Sequence, residues 1–219
     1  MKKVFTQRLS ISLLLVMLAG CLEKEVSEEV PLPFYNQADF TPKWIAPDSE
    51  EFAQIHKIEN FEFINQNGEL ISNKTMSGSI YVTDFFFTIC PGICPKMTAN
   101  MEIIHNQFKG ESDIKLLSHS VMPWVDSVSV LKEYAVNKGI DSDRWHFVTG
   151  DKDEIYDLAR NSYFAEKEIG MVRNSHDFLH TENFILVDQN GRIRGVYNGT
   201  LELEMKRLIR DIKTLKALG

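Results

Sequence analysis

One run of residues constrains this chain more than any other. Ser79-Ile80-Tyr81-Val82-Thr83-Asp84-Phe85-Phe86-Phe87 is largely apolar and holds neither Gly nor Pro. Strict alternation would mark a strand with one wet face. A nearly continuous apolar run marks a central strand instead. It leads into Thr88-Ile89-Cys90-Pro91-Gly92-Ile93-Cys94-Pro95-Lys96. From Cys94 onward, Met97, Met101, Ile104 and Phe108 recur with a helical period. Two thiols therefore stand where a buried strand meets a helix N-terminus. The helix dipole and free N–H groups at such a place favour thiolate.

The remaining pattern surrounds that junction with alternating elements. Residues 61–72, with Asn65-Gln66-Asn67-Gly68 at the turn, predict a hairpin. Ile114 to Val121 predicts a strand, and Ser127 to Asn137 a helix with Asp126 as its N-cap. Trp145 to Val148 is a short strand, and Asp151 to Ala159 a helix with acidic residues in its first turn. Residues 160–180 read as irregular. Strands Asn183 to Val187 and Arg192 to Tyr197 flank the turn Gln189-Asn190-Gly191, and Leu201 to Leu218 closes the chain as an amphipathic helix. The sum is an α/β domain over residues 60–219. It has a thioredoxin-like layout, with an N-terminal extension and a terminal β-hairpin plus helix.

The first residues follow a different logic. Lys2, Lys3 and Arg8 precede the apolar run Ile11 to Leu18, which is too short to span a bilayer, and Leu18-Ala19-Gly20-Cys21 ends it on small residues. This order resembles a bacterial lipobox, which implies cleavage before Cys21 and lipid on its sulfur. Residues 1–20 are then a signal peptide. Residues 21–33, with four glutamates and two prolines, form an acidic tether, and residues 34–59 an extended arm. Such a protein would sit on the extracytoplasmic (periplasmic) face of a cell membrane, anchored through Cys21. The whole chain has a formal charge of -7 from 24 Lys+Arg and 31 Asp+Glu. Residues 1–20 remove three cations and no acids, leaving -10. Nucleic acid is excluded as a partner, since it calls for a basic face.

With Cys21 lipidated, Cys90 and Cys94 are the free thiols. A disulfide closing so short a loop would restrain the unfolded chain little, so chemistry explains the pair better than stapling. Thioredoxin-type oxidoreductases place two residues between their cysteines, and here there are three. They also carry a proline facing the cysteines before a later strand. All seven prolines here lie at or before Pro123, and the matching place holds His180-Thr181. Two thiolates and an imidazole make a soft donor set suited to Cu(I), and to Cu(II) with added ligands. His176 and His180 with the two cysteines also have the ligand types of a Cys2His2 zinc site, although the gap between the halves far exceeds zinc-finger spacing. His56, His105, His119 and His146 are scattered and read as surface or core. Met97 and Met101 read as core packing rather than as thioether ligands.

The segment Phe85 to Pro95, Ser120-Val121-Met122-Pro123 with Asp126-Ser127, and His180-Thr181 running into Asn183 to Gly191 together resemble the Sco/SenC family. The likeness covers about residues 60–217. It implies a thioredoxin-like, membrane-tethered copper protein with Cys90, Cys94 and His180 as metal ligands, delivering copper to the dinuclear centre of cytochrome c oxidase. It also implies thiol–disulfide work on the copper-accepting subunit, with a Cys90–Cys94 disulfide in the cycle and a separate thiol reductant to restore the dithiol. The family often has Asp immediately before the ligand histidine, where an acidic neighbour would orient the imidazole, and this chain has Leu179 there.

Overall fold

The computed structural model describes residues 31–140, 143–165, 179 and 181–218. A seven-stranded sheet runs in the order β4-β3-β7-β6-β5-β8-β9. Its strands are β3 (Glu62–Asn65), β4 (Leu70–Ser72), β5 (Ile80–Phe86), β6 (Ile114–Ser120), β7 (Trp145–Thr149), β8 (Asn183–Val187) and β9 (Ile193–Asn198). β5, β6 and β7 are parallel neighbours, while β3 runs against β7, β8 against β5 and β9 against β8. Every residue of β5 is buried, as the apolar run requires. The thioredoxin-like layout expected from the sequence is the layout observed.

The helices are α1 (Asn73–Met76), α2 (Cys94–Gln107), α3 (Val128–Asn137), α4 (Lys152–Asp157) and α5 (Glu202–Leu218). The crossovers β5–α2–β6 and β6–α3–β7 step the same way across the sheet, so connections of one hand place α2 and α3 on one face. Both bury side chains there with α5: Met97, Met101 and Ile104 of α2, Leu131 of α3, and Leu208 and Ile212 of α5 join Ile80, Val82 and Phe86 of β5. Met97 and Met101 are fully buried, as core packing predicts. Burial of such a side chain stabilises the fold by about 1.5–3 kcal/mol. The opposite face takes Tyr81 and Phe85 of β5, Leu117 of β6, Met76 of α1, and Ile155 and Tyr156 of α4.

Two local features differ from the sequence reading. The N-cap of α3 is Ser127, whose Oγ accepts from Val130 N at 3.4 Å, and not Asp126. Helix α4 does not continue regularly to Ala159. From Leu158 to Ser162 the chain widens into a π turn, and Tyr163 N reaches back to Leu158 O at 3.0 Å. The extra residue delivers Tyr163 into the core, where its hydroxyl lies 3.1 Å from that of Tyr81.

The N-terminal extension packs across β9. Its short strands β1 (Phe34–Tyr35) and β2 (Pro42–Lys43) pair antiparallel. Arg194 of β9 donates to Leu32 O at 2.6 Å and Pro33 O at 3.0 Å, pairs with Asp188 at 3.2 Å, and stacks on Phe34. Among the described residues no helix is long and apolar enough to cross a membrane.

Candidate metal centre

The carboxyl ends of β5, β6 and β7 point the same way, and the loop from Phe87 to Ile93 leaves β5 at that edge. Open α/β sheets place their sites there. Val121 N donates to Phe86 O at 2.9 Å, so β5 stays pinned to the end of β6 up to the point where the loop begins. Cys90 N then donates to Phe87 O at 3.3 Å, closing a turn that raises Cys90 above the strand end. Cys90 is half-buried and Cys94, the first residue of α2, is buried. A Cβ added to Gly92 would stand 3.9 Å from the Cys90 sulfur, so the thiol folds back over its own loop.

Helix α2 begins without a side-chain cap. Its N-cap is Ile93, which has no acceptor, and Pro95 in the first turn has no N–H to satisfy. The N–H groups of the loop end and of Cys94 lie where they act on the Cys90 sulfur. Burial alone would push the Cys90 thiol up. Hydrogen bonds from the Cys94 thiol and from the N–H groups of Cys94, Gly92 and Ile93 outweigh that, and its pKa is lowered. The Cys94 thiol moves the opposite way, to about 12. Burial raises it first, then its hydrogen bond to Cys90, against a lowering from the Phe87 backbone, and the charges of Cys90 and Asp84 raise it further. The two thiols are thus unequal: the Cys90 proton is the easier to remove and the Cys94 proton the harder.

Around the pair, Thr98 Oγ1 donates to Cys94 O at 3.0 Å and lies 2.8 Å from the Tyr134 hydroxyl, which ties α2 to α3. Beneath it, Asp84 of β5 is buried, and its Oδ1 accepts from Ser118 Oγ at 2.5 Å. Trp145 Nε1 donates to the same hydroxyl at 3.0 Å. Burial raises the Asp84 carboxyl to about 7, against the lowering effect of the Ser118 bond. Asp84 is not read from the sequence as part of the site. The one signal for Asp84 was a carboxylate inside an otherwise apolar strand.

The structure places the free thiols of Cys90 and Cys94 at one loop–helix junction, where each shifts the pKa of the other. His180, His176 and Cys21 lie outside the described residues. The residues flanking His180 are placed: Leu179 is fully buried in the core of the α4 face, and Thr181 Oγ1 accepts from Asn183 N at 3.2 Å, at the start of β8. Leu179 is therefore a packing anchor, and this explains an apolar residue at that position. His56 meets Ser162 O at 2.7 Å, and His105 packs its ring against Trp145. Among the described residues no further group of His, Cys, Asp and Glu clusters as metal ligands do.

Comparison with known proteins points to one family. The SCO1 protein homolog of Bacillus subtilis is 33% identical over 165 residues, covering 74% of this chain and 84% of that protein. BsSco, a member of the Sco family of cytochrome c oxidase assembly proteins in which a disulfide switch has been identified, superposes with a TM-score of 0.64 at 32% identity, over 75% of this chain and 96% of that one. Bradyrhizobium japonicum ScoI with copper bound shares the fold at a TM-score of 0.57 and 21% identity, over 72% of this chain and 98% of that one. The family model described as SCO1/SenC matches residues 49–217, and the chain belongs to that family.

Proposed function

We propose that this protein is a copper chaperone: Cys90, Cys94 and His180 hold copper and pass it by ligand exchange to the copper-accepting subunit of cytochrome c oxidase during its assembly. The observation that carries the reading is the pair of free thiols where β5 meets the N-terminus of α2, half-buried Cys90 with its pKa lowered and buried Cys94 beside it. The donor set fits the cargo. Two thiolates and an imidazole are soft enough for Cu(I), and the imidazole also suits Cu(II). The relatives point the same way, because one is a copper-bound structure and another is an oxidase assembly protein. Copper titration of the purified chain tests it. Cys90→Ser, Cys94→Ser and His180→Ala should each weaken binding at least about tenfold, or 1.4 kcal/mol. Wild-type affinity in all three would overturn the reading.

A second reading is favoured by the inequality of the thiols. A low-pKa, half-buried Cys90 attacks a partner's disulfide, and buried Cys94 then resolves the mixed disulfide. Two thiols of this chain become a Cys90–Cys94 disulfide while two thiols are released on the partner, and a thiol reductant must restore the dithiol. The oxidase subunit's own cysteines are the substrate this implies. His180→Ala separates the readings: it should abolish copper transfer and leave the exchange rate unchanged. The chain would act from the extracytoplasmic face of the membrane, cleaved before Cys21 and anchored through lipid on that sulfur. Cys21→Ala should then release it from the membrane fraction, and retention there would count against the anchor.

A further inference from the structure

We propose that Asp126 is the positioning residue of the dithiol loop, holding the Cys90 arm at a fixed place beside Cys94. This rests on the reading of Cys90 and Cys94 as the working pair. The sequence suggests Asp126 as a helix cap, yet its carboxylate turns away from α3. Two turns bring it there: Val125 N and Asp126 N both donate to Met122 O, at 2.8 and 2.9 Å. Asp126 is fully buried. Its Oδ1 accepts from Thr88 Oγ1 at 2.5 Å, and its Oδ2 accepts from Thr88 N at 3.2 Å and from Ser120 Oγ at 2.5 Å. Ser120 Oγ in turn accepts from Met122 N at 3.2 Å.

Thr88 stands two residues before Cys90. A single carboxylate therefore grips both the backbone and the side chain of the loop entry and fixes them to the end of β6. Leaving any of these buried donors without its acceptor would carry the cost of an unsatisfied polar group. The exit of the loop is already fixed, since Cys94 is the first residue of α2. With both ends held, the Cys90 sulfur meets its partner at high effective concentration. Releasing the entry would lower that concentration without removing either sulfur. The disulfide and a metal shared by the two sulfurs both draw on it, so both should weaken together.

The test measures two constants on the purified full chain. One is the equilibrium in which oxidised glutathione takes the two thiols to the Cys90–Cys94 disulfide and leaves two reduced glutathiones, followed by mass spectrometry of the alkylated Cys90–Cys94 peptide. The other is Cu(I) affinity by competition with a chromophoric chelator. Asp126→Ala should lower both by about tenfold, Thr88→Val by about threefold, and Asp126→Asn should recover part of the loss. Ser127→Ala, which removes the α3 cap and a contact with Ser129 but nothing on the dithiol loop, should lower thermal stability and leave both constants alone. If Asp126→Ala does not fold, Thr88→Val decides. Constants within twofold of wild type in the folded variants would reduce Asp126 to a structural residue and overturn the proposal. A wild type that binds no copper, with a disulfide equilibrium still shifted by these variants, would sink the copper reading and leave the positioning role standing.

Discussion

Asp84 and His119 are buried on opposite faces of the sheet, and their surroundings treat them in opposite ways. On the face covered by α2, α3 and α5, Asp84 has a hydroxyl partner in Ser118, itself held by Trp145. On the other face His119 of β6 is fully buried, and neither ring nitrogen has a hydrogen-bond partner among the described residues. Aromatic rings surround it instead. Phe85 stacks on it at 5.1 Å, while Phe61, Phe63 and Tyr163 approach at 5.9, 5.6 and 5.7 Å. Burial drives the imidazole down to about 3 and the carboxyl up to about 7. Each group is therefore kept neutral over part of the pH range by its surroundings. Only Asp84 sits where its charge is felt by a thiol. The partnered group belongs to the site, and the unpartnered one belongs to stability.

The largest effect expected from this contrast is the acid limb of stability. His119 binds its proton in the unfolded chain near 6.5 but only near 3 when folded. Stability from its neutrality is complete above pH 6.5 and is lost as pH falls toward 3. The linkage amounts to about 3 kcal/mol between pH 7 and pH 4. His119→Phe keeps a ring of similar size in the aromatic box, so in urea unfolding its stability relative to wild type should rise by that amount as pH falls from 7 to 4. A difference between variant and wild type that stays constant with pH would show that His119 carries no such linkage.

Asp84 should produce the next effect, with the opposite sign. Its folded pKa near 7 lies above the ordinary 3.8, so the folded state holds the proton longer and stability declines as pH rises from 4 to above 7. The decline is about 2 kcal/mol between pH 4 and pH 6, close to the gain His119 gives over the same interval. From these two groups the wild type is nearly flat there. Asp84→Asn should unmask the rising His119 slope, and His119→Phe the falling Asp84 slope. If both single variants stay flat between pH 4 and pH 6, the two faces are not balanced against each other.

Much of this was legible in the residues, and the rest was hidden for identifiable reasons. The Ser79 to Phe87 run and the period of Met97, Met101, Ile104 and Phe108 gave their strand and helix, because each pattern reports which faces are covered. The dithiol was legible because two cysteines and two prolines have few other uses at that spacing. Asp126 misled because an aspartate before a helix is the usual cap. Ser127 takes that role, and the carboxylate reaches a residue 38 positions earlier in the chain, a pairing that no local pattern encodes. His119 read as a core or surface histidine. Its aromatic box is assembled from β3, β5, β6 and the π turn, and appears only when those elements meet.

The smallest effect tests whether the faces are separate in function as well as in stability. Cys94 is raised to about 12 by burial first, then by its hydrogen bond to Cys90, with the Cys90 thiolate and the Asp84 carboxylate adding charge repulsion. Asp84 is ionised above pH 7, so its charge is present throughout the Cys94 titration. Asp84→Asn removes the last of those causes and leaves the larger ones. The Cys94 thiol should titrate at lower pH, by a shift worth less than about 1.4 kcal/mol. Cys90→Ser removes both the hydrogen bond and the nearer charge, and should shift it further. His119→Phe changes only the opposite face and should leave both thiol titrations where they are. Ultraviolet thiolate absorbance followed against pH in the three variants reads all of this at once. A thiol shift in His119→Phe as large as that in Asp84→Asn would mean that the sheet transmits what its two cores were built to keep apart.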